Sequence, residues 1–307
     1  MKITIDAVSD LLKSMDDVLI LAHENPDGDA VGSACALCRA MLKLGKNAKV
    51  SIERVSNKLS YLLSDVPTGD FDYKYVVAVD TADNNILGVS GTSVTKNSKI
   101  DLCIDHHFSN VLYAEKTYLD EKAAGACEAI FDILKYMDIE IDKDIAECLY
   151  VGISTDTGCF RFGNTTSKTL RTAAELIDLG VNNADVNRLQ FETKSKEYAK
   201  LEQMAISSMN TYFSGKCAVL PITYDMFIKS GADDSDTSAL ASLPRQIEGV
   251  LIGVTMKEKV KGMFRISVRT NPPADASAVA GMLGGGGHRL AAGCSFEGRL
   301  NDALKAV

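Results

Sequence analysis

Between residues 17 and 179 two hydrophobic periods alternate along the chain. Residues 17–21, Asp-Val-Leu-Ile-Leu, form a short apolar run bounded by charges, the pattern of a strand buried on both faces. In residues 32–44, Ala36, Leu37, Ala40, Met41 and Leu44 return at helical spacing, and Gly45 supplies a stop. Residues 48–52, 75–79 and 99–104 predict further strands. Residues 123–136 predict a helix with Cys127, Ile130, Phe131 and Leu134 on one face, and residues 144–154 and 167–179 predict two more. Strands alternating with helices predict an α/β unit with a parallel sheet and helices on both faces.

The pattern changes after Leu179. Residues 188–209 are polar at helical spacing, with Glu192, Lys194, Lys196, Glu197, Lys200 and Glu202, and predict a connecting helix. Strands resume at 217–222, 250–256 and 263–270. In the last, Phe264, Ile266 and Val268 alternate with Arg265, Ser267 and Arg269, giving one apolar face and one polar, basic face. Residues 231–236 read as an acidic loop, and a helix opens near Leu300. The expected organisation is an α/β domain over 1–186, a connecting helix over 187–213 and a smaller α/β domain over 214–307, in keeping with a length of 307 residues.

Composition narrows the class. Hydrophobic residues make up 46% and charged residues 24%, the balance of a soluble globular protein. No run approaches the ~20 apolar residues of a membrane helix, and Asp6 sits where a signal peptide would need its apolar run, so a cytoplasmic protein is expected. The eight cysteines lie mostly in apolar stretches, which suits reduced, buried thiols. Cys35 and Cys38 have metal-ligand spacing, but with no second such pair and a small-residue helix around them they read as core. The net charge of −8 argues against a non-specific DNA binder. It divides unevenly: residues 215–307 hold 11 basic and 9 acidic side chains, leaving 22 basic and 32 acidic over 1–214.

The candidate chemistry lies at predicted strand and helix ends. His23-Glu-Asn-Pro-Asp27-Gly28-Asp29 follows the first strand and leads into a helix, at the carboxyl end where α/β sheets bind ligands. Imidazole with carboxylates suits a borderline divalent cation. The plainer reading, an acidic turn in which Asp29 caps the helix, explains one residue of the set. Asp80 ends the strand 75–79, and Asp105-His106-His107 ends the strand 99–104. Asp156 closes a helix within Gly152-Ile-Ser-Thr-Asp156-Thr-Gly158, which breaks the Gly-x-Ser-x-Gly pattern of a serine-hydrolase elbow. Together these offer ligands for two cations, provided one carboxylate bridges. In the second domain Gly284-Gly285-Gly286-Gly287-His288-Arg289 lets backbone amides approach an anion but lacks the Gly-Lys-Ser/Thr ending of a P-loop, and Arg269 is a phosphate partner.

In this order the clusters resemble the DHH phosphoesterases that carry the DHH-associated C-terminal domain, over nearly the whole chain. The likeness is greatest to the stand-alone group acting as oligoribonuclease and phosphatase of 3′-phosphoadenosine 5′-phosphate (pAp). That resemblance implies two Mn²⁺ ions, one held by His23, Asp27 and Asp80 and the other by Asp29, Asp80, His106 and Asp156. It also implies His107 facing the scissile phosphate, Asp105 orienting the ligands, and Arg269, Gly285, Gly286, Gly287 and His288 holding the terminal phosphate or base. The expected substrates are short oligoribonucleotides, pApA or pAp, with no long duplex nucleic acid and no membrane as partner; a homodimer is compatible with such a fold. Pro272, Pro273, Met282 and Leu283 depart from the family pattern and bear on fine substrate preference.

Three other readings compete. Cyclic di-AMP phosphodiesterases share the resemblance. A DHH-type pyrophosphatase would carry a Lys/Arg-rich C-terminal domain in place of the glycine run. A non-catalytic nucleotide sensor would have lost a metal ligand, whereas all six positions are filled.

Overall fold

The computed structural model describes residues 1–69, 71–87, 94, 99–232 and 237–306, so part of the expected acidic loop lies outside the described residues. The chain divides into two units, Met1–Thr193 and Lys194–Val307.

In the first unit the strands β1 (Val18–Leu21), β2 (Ala48–Ser51), β3 (Tyr75–Val79), β4 (Leu102–Asp105) and β5 (Lys116–Leu119) form one parallel sheet in the order β2-β1-β3-β4-β5. Alternate residues serve opposite faces. Val18, Ile20, Val77, Val79, Leu102 and Ile104 join one core with the helices α1 (Ile5–Ser14), α2 (Gly28–Lys43), α3 (Ala126–Tyr136), α4 (Lys143–Asp156) and α5 (Ser167–Asp178). Leu19, Leu21, Val76, Ala78 and Cys103 join a second core, covered by Phe71, Tyr73, Leu87, Val94, Ile100, Tyr113 and Ala114. The sheet is buried on both sides: α1 to α5 lie on one face, and Val94, itself helical, packs on the other. The strand order reverses between β1 and β3, so a crevice opens at their carboxyl ends. His23, Asp27 and Asp29 follow β1, and Asp80 follows β3.

Boundaries differ from expectation for local reasons. Helix α2 begins at Gly28 rather than at residue 32, because Asp27 caps it: its side chain accepts from the N–H groups of Asp29 and Ala30. The cap is therefore Asp27, and Asp29 is free for other work. Helix α1 and strand β5 went unread, the latter because Lys-Thr-Tyr-Leu at a sheet edge carries no apolar run.

The expected connecting helix is interrupted. Helix α6 (Asn183–Asn187) passes into a π-turn, Arg188–Glu192, in which the Gln190 side chain and carbonyl bond Lys58 of the first unit. Extended Thr193 ends it, and Ser195 caps a new helix, α7 (Lys196–Ser208), by accepting from the Tyr198 N–H. Tyr198, Leu201 and Ala205 of α7 pack on Leu220, Ile222 and Leu240 of the second unit.

Among its described residues that unit has six strands in the order β10-β11-β9-β8-β7-β6. They are β6 (Asn210–Tyr212), β7 (Cys217–Ile222), β8 (Ile252–Val260), β9 (Met263–Thr270), β10 (Gly286–His288) and β11 (Ala291–Glu297). The β7–β8 pair is parallel, its crossover carrying helix α8 (Tyr224–Ser230), and the other pairs are antiparallel. Helix α9 (Ala276–Met282) and the C-terminal helix α10 (Leu300–Ala306) share a core with Phe264, Ile266 and Val268 of β9. The glycine run is not a loop: Gly286, Gly287 and His288 form an exposed edge strand paired with Gly293, Ala292 and Ala291. No helix among the described residues is long and apolar enough to cross a membrane.

Helices α2 and α4 approach so closely that a Cβ on Gly32 would lie 2.4 Å from the Cys148 carbonyl oxygen and 3.1 Å from the Cys127 sulfur. We expect Gly32→Ala to cost about 1–3 kcal/mol as an overpacking change. Gly163→Ala, where a Cβ meets nothing within 4 Å, should be near neutral. The midpoints of urea unfolding for the two variants check this.

Candidate functional site

At the carboxyl edge of the first sheet, the side chains of His23, Asp27, Asp29, Asp80, His106 and Asp156 converge. Their donor atoms fall into sets mutually within 4.8 Å, His23, Asp27 and Asp80 in one and Asp29, His106 and Asp156 in another, linked by a third that contains Asp80 and His106. The His106 Nε2 lies 3.5 Å from Asp80, 3.6 Å from Asp156 and 3.8 Å from Asp29, and His23 Nε2 lies 3.8 Å from Asp80. These spacings are too long for hydrogen bonds. Donors ~2.0–2.2 Å from a shared ion stand ~3–4 Å from one another, which is the spacing seen.

Each candidate ligand has its own local support. Asp80 follows β3 in the left-handed region, at φ 51, and its N–H donates to the Ile104 carbonyl, so β4 holds the turn. Its Oδ1 is buried without a hydrogen-bond partner among the described residues, a costly state that a cation would relieve. Asp29 is buried and accepts the Ala126 N–H at 2.5 Å and the Cys127 N–H at 2.9 Å, at the positive end of α3. Gly125 and Gly152 leave room for it, since a Cβ on either would come within 3 Å of its carboxylate oxygens. Asp156 is the last residue of α4.

The electrostatics follow from packing carboxylates together out of water. Burial, and then the neighbouring aspartates, push Asp80 well above the ordinary carboxylate range. Burial also raises Asp29, with His106 opposing it. Asp156 is pushed up to about 8 by burial and by the charge of Asp29. Burial lowers His23, keeping it neutral and able to ligate. A deficit of positive charge, met by protons or by divalent cations, is the common feature.

Asp105 and His107 form a separate pair. The His107 Nδ1 lies 2.8 Å from Asp105 Oδ1, and Asp105 also accepts the His106 N–H at 2.8 Å and Asn110 Nδ2 at 2.6 Å. Burial alone would raise Asp105; these bonds hold it low. The hydrogen bond to Asp105 raises His107, with burial opposing, so the imidazolium is favoured. Asp105 shares a donor set with Asp80, His106 and His107. Its oxygens are already engaged, which fits a role in aiming His107. Sequence reasoning missed Asn110, whose only signal is its place three residues after His107.

The second unit contributes a basic cleft of about 440 Å³ whose lining includes Arg265, Ser267, Arg269, Gly286, Gly287 and Gly293. Arg265, Ser267 and Arg269 stand on the polar face of β9, and β10 and β11 bring only glycines and the small side chains of Ala291, Ala292, Cys294 and Ser295 to the cleft. The Arg269 guanidinium is lowered by burial and by the charges of Arg245 and Arg265, so three cations converge. Gly285 and His288 are not among the lining residues. Arg245 was missed, being far from β9 in sequence.

Residues 17–153 match the family model described as "DHH family, N-terminal domain", and residues 215–307 match the "DHHA1 domain". A Thermus thermophilus protein named bifunctional oligoribonuclease and PAP phosphatase NrnA is 32% identical, over 98% of this chain and 91% of its own. A Bacillus subtilis protein of the same name is 29% identical, over 92% and 90%. The crystal structure of an exopolyphosphatase-related protein from Bacteroides fragilis superposes with a TM-score of 0.86 at 23% identity, covering 98% of this chain and 93% of that one.

The raised carboxylates make the metal-free protein pH-sensitive. Unfolded, these groups titrate near ~4, while folded Asp156 titrates at about 8. Between those values the folded state binds more protons, so the stability from this cluster is full below the unfolded pKa and is lost as pH rises through the folded one. We expect chelator-treated protein to lose at least ~2–4 °C of Tm between about pH 5 and about pH 8. A divalent cation should restore it at the higher pH. Thermal scans with and without the cation check both.

Proposed function

This chain belongs to the DHH family, and on that premise we propose that it hydrolyses the phosphoesters of short nucleotides, namely short oligoribonucleotides, pApA and 3′-phosphoadenosine 5′-phosphate. The observation that carries this reading is the six-residue donor cluster with Asp80 common to both His23 and His106. The two relatives named for oligoribonuclease and PAP phosphatase activity support the substrate class.

His23, Asp27 and Asp80 would hold one divalent cation, and Asp29, Asp80, His106 and Asp156 the other. Mn²⁺ is our choice, since mixed imidazole and carboxylate donors suit a borderline dication. Two such ions supply Lewis acidity, polarising the phosphoryl oxygens and making a nucleophilic water available at neutral pH. The chain's own work is positioning and proton handling. Asp105 fixes His107 through Nδ1, leaving Nε2 to meet the scissile phosphate. As an imidazolium, His107 neutralises charge on the phosphate and gives its Nε2 proton to the departing oxygen. On the second unit Arg265 and Arg269, over the glycines, would take a terminal phosphate of the substrate, with His288 and Gly285 in the same hairpin. Residues 1–214, with 22 basic and 32 acidic side chains, would repel a long polyanion elsewhere.

Assay of pAp, pApA, short RNA and cyclic di-AMP with Mn²⁺ tests the reading. Turnover of the first three is expected; hydrolysis of cyclic di-AMP alone would replace it with the cyclic-dinucleotide one.

Asp80→Ala should cut kcat to below roughly one hundredth and lower occupancy at both cation sites, because removing a shared ligand should exceed the 10–100-fold loss typical of an outer partner. Activity measured beside metal analysis checks it.

Arg269→Ala should raise KM for short substrates roughly tenfold, the weight of one charge-assisted hydrogen bond, without altering metal content. For the wild type, kcat/KM should fall as RNA lengthens from about 2 to about 24 nucleotides, since added phosphates meet no further cations. A flat or rising series would move the protein towards processive exonucleases.

A further inference from the structure

The helix end that holds Asp29 is itself held from behind. Gly125 gives α3 no side-chain cap, and the Ala126 and Cys127 N–H groups go to Asp29. Glu128, in the first turn of α3, folds back so that its Oε2 accepts the Ala124 N–H at 2.6 Å and the Thr169 hydroxyl at 3.2 Å. Glu128 is fully buried. Its Oε1 makes no hydrogen bond among the described residues and faces Lys168 Nζ at 3.6 Å; Lys168 also donates to Asp132 and lies 3.8 Å from Asp120. On the other side, Asn164 Nδ2 donates to the Ala124 carbonyl at 2.9 Å and to the Asp156 carbonyl at 3.2 Å. The turn 124–127 is thus tied both to Lys168 and to the end of α4 that carries Asp156.

A buried carboxylate is an expensive way to fill space, and an apolar side chain would pack there at lower cost. Among the described residues no hydrogen bond or ion pair joins Glu128 to the side chains of the candidate cation ligands; it acts on them through the Ala124 N–H and the Thr169 hydroxyl. We propose that Glu128 is a positioning residue of the metal centre: clamped by Lys168 and Thr169, it fixes the turn 124–127 whose N–H groups aim Asp29, and so sets the affinity of the cation site that Asp29 serves. The proposal rests on the reading of Asp29 as a ligand.

The test is Mn²⁺ titration by calorimetry of the full chain, with amide hydrogen exchange over residues 124–127 in the metal-free protein. Glu128→Ala should weaken the Asp29-dependent site 10–100-fold, as loss of an outer partner does elsewhere, and should speed exchange in that turn while leaving β1, β3 and β4 protected. Glu128→Gln, which can still accept the Ala124 N–H, should return affinity to within about threefold of wild type. A merely structural role would lower Tm and leave both readouts unmoved. Lys168→Met leaves Glu128 in place and changes a side chain that is 42% exposed. It should weaken the same site about 3–10-fold, even if Glu128→Ala does not fold. Unchanged affinity in Lys168→Met and in any folded Glu128→Ala, alongside loss in Asp29→Asn, overturns the positioning role. Unchanged affinity in Asp29→Asn overturns the ligand reading itself.

Discussion

The costly packing of like charges governs this protein. Asp29, Asp80 and Asp156 are brought together at the carboxyl edge of a parallel sheet, where burial raises all three. Three devices make that tolerable. The N-terminus of α3 gives Asp29 two N–H donors. Glycines at 125 and 152 let backbone reach the carboxylate without a Cβ between them. The imidazoles of His23 and His106 stand within 4 Å of the carboxylates without hydrogen-bonding them, leaving cation-sized spaces. Much of the surrounding architecture, including the close approach of α2 to α4, serves to keep these groups where water would otherwise separate them.

The second unit solves the complementary problem with little backbone cost. A short edge strand of glycines lies beside β11, and the guanidiniums of β9 line a cleft whose opposing strand carries no bulky side chain. Arg245 and Arg265 stand close enough to Arg269 to disfavour its charged form, so this cleft concentrates positive charge as the first unit concentrates negative charge.

The Asp105–His107 pair shows how hydrogen bonding distinguishes neighbouring members of one donor cluster. Asp105 ends β4, and His107 lies in the loop that follows. Asp105 already holds the His106 N–H, Asn110 and His107, and it is the environment that keeps it charged and raises its neighbour. Asp105 and Asp80 are the same side chain; hydrogen-bond occupancy is what sets them apart.

The sequence by itself determined the alternation of strands and helices, the pairing of acidic and imidazole residues with strand ends, and the order of motifs. Those signals are local: a two-residue or 3.6-residue period, a turn, a cap. The tertiary structure alone decided which carboxylate caps α2 and which is buried, because Asp27 and Asp29 differ only in what lies 97 residues away at Ala126. It also decided that the polar stretch after residue 187 is two helices in different units, since Ser195 can cap only once Tyr198 and Leu201 have a core to enter. The glycine run became a strand because β11 offers it a ladder, and Glu128, Asn164 and Arg245 gained meaning only from partners distant in the chain. Periodicity reports what a residue does to its neighbours in sequence, whereas burial and charge depend on neighbours in space.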